Sequence, residues 1–208
     1  MRPIIDDFCA YGPGLTRFEA QGIASLHRGR VYFGCLVLEQ LKVKEVDMHR
    51  YGMVINAPFC GYEEETTLCL MKRAKELGVG AVSPLFPISE LLSWHIGSVR
   101  RQLEAIRRSG DGMENVLMIT AKQGEDSLEA CFRLAQEAGF KCLCLGTGTP
   151  NDALSPSFVD TLERWKHVFS LSVALDNEDS AITDKIKKAG YSVRLCSTVM
   201  DVHGYGRL

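Results

Sequence analysis

The chain has 208 residues, 46% hydrophobic and 24% charged, with a net charge of -2. That is enough apolar mass for one compact domain over residues 1–208, and so even a charge balance offers no electrostatic case for nucleic acid. No apolar run approaches a spanning helix and the first residues hold no signal-peptide core, so a cytoplasmic protein without a membrane partner is expected.

In chain order, Ile4 and Ile5 read as a short first strand, and Thr16 as the cap of a helix reaching about His27. Arg30 to Leu38 is rich in β-branched and aromatic residues and reads as a strand, followed by a short helix over about Glu39 to Val46. Tyr51 to Ile55 is a third strand. Glu63 to Leu77 is a helix with acidic residues in its first turn and Gly78 at its end. Ala81 to Phe86 is a fourth strand, and one long amphipathic helix is expected within Ser89 to Arg108.

Val116 to Ile119 is too short an apolar run for a helix. Leu128, Cys131, Leu134, Ala135 and Ala138 then recur at helical spacing, Gly139 stops them, and Cys142 to Leu145 is the next strand. Strand, helix and strand in so few residues imply a parallel crossover. Ser157 to Trp165 (helix), Val168 to Leu175 (strand), Ser180 to Ala189 (helix) and Ser192 to Cys196 (strand) continue the pattern. About eight such units point to a compact (β/α)8 TIM barrel, an α/β fold, with the eighth helix short or missing. The flank left open would need covering by a partner subunit or by the N-terminal segment, and of these a homo-oligomer is the reading preferred.

Three pieces then carry a resemblance. They are Val54-Ile55-x-x-Pro58 with Gly61 and the acidic-start helix; Ala135-x-Glu137-Ala138-Gly139 before a strand and Thr147-Gly148; and Ala189-Gly190 before Cys196-Ser197. In order and spacing, over residues 51 to 198, the chain resembles deoxyribose-phosphate aldolase, a class I aldolase. The resemblance implies a barrel with a Schiff-base lysine on strand six, an acid/base aspartate on strand four and a second lysine on strand seven. Cys144, Ser83 and Ser172 stand at those positions here. Leu175-Asp176-Asn177 stands where the family has a glycine-rich phosphate loop.

Lys122, in Ala121-Lys122-Gln123-Gly124 after strand five, is the candidate catalytic residue that would replace the missing imine-former; a solvated loop lysine is the simpler account. Asn56, Ser83, Cys144, Thr147, Ser172, Asp176, Asn177 and Ser197 are expected at or near the C-terminal rim, as a polar cup for a sugar or sugar-phosphate-like metabolite; ordinary loop polarity is the alternative. The cysteine pair Cys142 and Cys144 reads as small barrel filling. The eight cysteines form no C-x-x-C pair and the five histidines are scattered, so no metal, cofactor or disulfide is expected. Three functions stay open: a polar-metabolite binder without imine chemistry, an active lyase using Lys122, and a non-catalytic regulatory or scaffold barrel.

Overall fold

The computed structural model describes residues 7–11, 15–42, 46–57, 63–121, 125–149, 152, 158–175 and 180–198. Eight strands, β1 (Asp7–Tyr11), β2 (Val31–Phe33), β3 (Tyr51–Ile55), β4 (Ala81–Pro84), β5 (Glu114–Ile119), β6 (Cys142–Leu145), β7 (Ser170–Leu175) and β8 (Ser192–Thr198), follow one another round a closed barrel. Every neighbouring pair is parallel, and β8 returns beside β1 with Asp7 opposite Arg194 and Cys9 opposite Cys196. Between them lie α1 (Arg17–Leu26), α2 (Cys35–Leu41), α3 (Glu64–Leu77), α4 (Ile88–Leu92), α5 (Ile96–Ser109), α6 (Glu125–Glu137), α7 (Phe158–Trp165) and α8 (Ser180–Lys188). The expected (β/α)8 barrel is therefore present. The chain after Thr198, where an eighth crossover helix would fall, lies outside the described residues.

Because side chains alternate across a strand, each stave has an outer and an inner set. Phe8, Phe33, Ile55 and Leu195 belong to the large core between sheet and helices. Cys9, Tyr32, Val54, Met118, Cys144 and Cys196 belong to a second, smaller core inside the tube. On the outside, Phe132 stacks on Trp165 with centroids 5.5 Å apart, and both meet Phe169, just before β7, at a tilt (5.7–5.8 Å). The Trp165 indole also donates to Glu129 at 3.0 Å.

Three elements differ from the sequence expectation. The first strand is Asp7–Tyr11, later than Ile4-Ile5, because Phe8 and Ala10 supply the outward apolar face; residues 4 and 5 lie outside the described residues. The expected strand from Arg30 to Leu38 stops at Phe33. Gly34 caps a helix there, and Val37, Leu38 and Leu41 are its buried face. The single long helix is two. Trp94 takes a left-handed backbone (φ 62) while its N–H bonds to Leu91 and that of His95 to Glu90, which closes α4 before α5 begins.

Candidate functional site

The inner wall of the barrel is organised around Arg194. It is the third residue of β8, and its side chain, 1% exposed, crosses the lumen to the opposite stave. There Nη1 donates to Ser83 Oγ at 2.8 Å. The guanidinium carbon lies 3.9 Å from the centre of the Tyr32 ring, a cation–π contact in a desolvated setting. Nη2 is 3.9 Å from Asp7 Oδ2, close enough for charge but too long for a hydrogen bond, and Nε has no partner among the described residues. Tyr32 has room only because β3 carries Gly52 beside it, where a Cβ would sit 2.3 Å from the ring.

Ser83, Cys144 and Ser172, expected at the rim, lie deeper, in the wall of the tube. Ser83 is fully buried and donates to the Val116 carbonyl at 3.0 Å while accepting from Arg194. Ser172 donates to the Leu143 carbonyl at 3.3 Å and is the register partner of Cys144. Both hydroxyl protons are thus spent on neighbouring strands. Burial pushes the Cys144 thiol up from its ordinary value, against the pull of Arg194 and of the Ser172 hydroxyl, so it is a thiol rather than a thiolate at neutral pH. Burial likewise pushes the Tyr32 phenol up to about 12.

Above this layer the connection after β6 bends over the mouth. Gly146 and Gly148 both have positive φ, and Gly148 presses so close to Cys196 that a Cβ would lie 2.3 Å from that of the cysteine. Asp152 pins the bend: its Oδ2 accepts from the Thr147 N–H at 2.7 Å and from the Thr147 hydroxyl at 2.9 Å, and both residues are buried. Thr147 therefore acts within the connection rather than offering a free hydroxyl.

Among the predicted residues, Asn56 lines an open cavity. It follows β3 in a left-handed turn (φ 65), and its Nδ2 donates to Thr67 Oγ1 at 2.6 Å, which in turn donates to the Glu63 carbonyl. Its buried Oδ1 accepts nothing among the described residues. Beside it lies a cleft of about 340 Å³, off the barrel axis at the C-terminal ends of β3 and β4, lined also by Glu63, Glu64, Glu90 and Gln102. Ser197 lies in β8 opposite Ala10. Lys122, Asp176 and Asn177 lie outside the described residues. Among the described residues no three His, Cys, Asp or Glu gather as a metal site, no lysine is buried, and no helix is long and apolar enough to cross a membrane.

Arg194 is the residue that sequence reading missed. Its signal is present: in Ser192-Val193-Arg194-Leu195-Cys196 the two apolar residues face outwards, so a charge at the intervening position must face the lumen. Its partners, on β1, β2 and β4, are invisible without the closed barrel.

By sequence, no family model matches the chain and no curated protein does. By structure, it is similar to an aldolase, QR15 (TM-score 0.80, 16% identity, 93% of this chain and 90% of that one). It is also similar to the deoxyribose-phosphate aldolase of Aeropyrum pernix, described as a unique tetrameric structure (TM-score 0.71, 14% identity, 99% and 91%). A third similar structure is 3-hexulose-6-phosphate synthase from Salmonella typhimurium (TM-score 0.63, 16% identity, 93% and 89%). Identities this low fix a fold and not an activity. This chain has the barrel fold found in deoxyribose-phosphate aldolases and aldolase-like proteins, with a lumen built on a guanidinium.

Proposed function

We propose that this protein is a divergent aldolase-fold barrel that has no imine chemistry and binds a small, hydroxyl-rich metabolite at its C-terminal rim. The observation that carries the reading is the state of the three positions where the resemblance calls for two lysines and an aspartate. Cys144 is a buried neutral thiol, and Ser83 and Ser172 are tied to backbone carbonyls. None of them forms a Schiff base or moves a proton at neutral pH.

The cleft beside Asn56 supplies the binding volume. The exposed Ser89 and the Gln102 side chain suit hydroxyl groups, whereas Glu63, Glu64 and Glu90 repel a phosphate. The class favoured is thus a neutral sugar, polyol or amino sugar rather than a sugar phosphate. The test pairs two measurements. Borohydride trapping with aldehydes and ketones is expected to leave every lysine unmodified by mass spectrometry; an adduct on Lys122 would restore the lyase reading. In thermal shift, sugars or amino sugars are expected to stabilise the protein by about 2.7 kcal/mol over the unliganded form at a hundredfold excess over Kd, and their phosphate esters by less. A preference for the esters would remove the assignment to this cleft.

We also infer a homo-oligomer. Phe18 and Leu26 on α1 and Leu36 on α2 are 83%, 64% and 64% exposed, more large apolar side chain than a monomer gains by showing to water. Light scattering is expected to give a mass above that of one chain, falling in Phe18→Ser/Leu36→Ser; a wild-type monomer rejects this.

A further inference from the structure

The opposite, N-terminal end of the barrel carries a second cleft, of about 300 Å³, with an unusual lining. Arg28, Gly29 and Arg30 of the α1–β2 connection form one part, and His49 and Arg50 of the 3-10 turn (Met48–Arg50) before β3 form the other. Three of these five residues are arginines. Arg30 is committed elsewhere, since its guanidinium pairs with Glu114. Arg28 and Arg50 are both exposed, and neither meets a carboxylate among the described residues. The acid at the head of the turn, Asp47, points an oxygen at the N–H of His49 (3.1 Å) and serves as the turn's cap.

Both walls are held by the fold and not by each other. The His27 ring stacks on Phe8 with centroids 4.3 Å apart, the Arg30 N–H donates to Asp7 Oδ1 at 3.0 Å, and the Arg30 carbonyl accepts from Phe8 at 3.0 Å. The 3-10 turn rests against Gly80, where any Cβ would come within 2.1 Å of the His49 carbonyl oxygen. Two uncommitted guanidinium groups on a held backbone suit an anion, because their charge is unpaired and only the side chains remain to be ordered on binding.

We propose that this cleft binds a phosphate group, free or as a monoester, between Arg28 and Arg50. A guanidinium presents paired N–H donors that match two oxygens of a tetrahedral anion, and two such forks suit a multi-oxygen dianion better than a halide. The volume fits a small molecule, and the chain's net charge of -2 gives a polyanion nothing further to follow. The site lies at the other end of the barrel from the rim cleft, so it is independent of the function proposed above.

The test is titration calorimetry on the intact protein with inorganic phosphate and with phenyl phosphate, at constant ionic strength set by chloride. One saturable site is expected. Arg28→Ala and Arg50→Ala are each expected to weaken it about tenfold and the double variant to abolish it, with Arg133→Ala, an exposed arginine on α6 outside the cleft, unchanged. Binding of inorganic phosphate alone identifies the free ion as the ligand, and tighter binding of phenyl phosphate identifies a monoester. Thermal melts of the variants should match wild type, since both side chains are exposed. Absence of saturable binding by either probe, or full affinity in the double variant, overturns the proposal.

Discussion

Arg194→Ala is expected to lower the unfolding free energy by about 3–5 kcal/mol, because it empties the space over Tyr32, leaves the buried Ser83 without its donor and removes the charge nearest Asp7. Arg194→Met is expected to recover more than half of that loss. A methionine refills the volume against the ring and forfeits one hydrogen bond, that to Ser83, since Nε has no partner to lose. Urea unfolding of the three proteins is the measurement; equal losses in both variants would mean that charge, not volume, governs the lumen. The methionine variant should also become relatively stronger in acid. Burial already raises the pKa of Asp7 above 3.8, with Arg194 pulling it down, and removing Arg194 raises it further. A carboxyl whose folded pKa lies above its unfolded value contributes stability that is present below the unfolded pKa and is lost as pH rises through the folded one. The deficit of Arg194→Met should therefore shrink as pH falls from neutral towards 4, and a deficit that grows instead would contradict the placement of Asp7.

Gly148→Ala is expected to cost about 2–5 kcal/mol, the sum of ~1–2 for a left-handed alanine and ~1–3 for overpacking. The two contributions are separable. Gly146 has a similar backbone (φ 83 against 66), but a Cβ there would sit 3.2 Å from its nearest neighbour, the Ala174 carbonyl oxygen, rather than 2.3 Å. Gly146→Ala should therefore show mainly the backbone cost. If the two alanines are equally harmful in denaturant titrations, the connection after β6 does not press on Cys196 as described.

The parts of the fold that sequence can predict are those set by local chemistry. Tyr51–Ile55 is bounded to the residue because the 3-10 turn and Asn56 bracket five buried residues. Gly78 and Gly139 end their helices by adopting positive φ, which is what glycine does at such ends. Errors arise where the deciding contact is remote. Arg30 to Leu38 is largely apolar, so period cannot say that Gly34 begins a helix packed under the barrel. Trp94 in a left-handed turn has no glycine or proline beside it to announce the break. For the site, residue types are legible in the sequence but depth is not. Ser83 and Ser172 lie within the barrel wall, where strand carbonyls claim their protons.

The register of Asp7 opposite Arg194 joins the first stave to the last. Such a seam can be sewn only when almost the whole chain is available, and loop-closure entropy makes it the costliest pairing to bring together. Until β8 is in place, Tyr32 and Ser83 lack the guanidinium that both of them contact. The arginine is then both the last piece of the tube to be delivered and the pin that spans its bore.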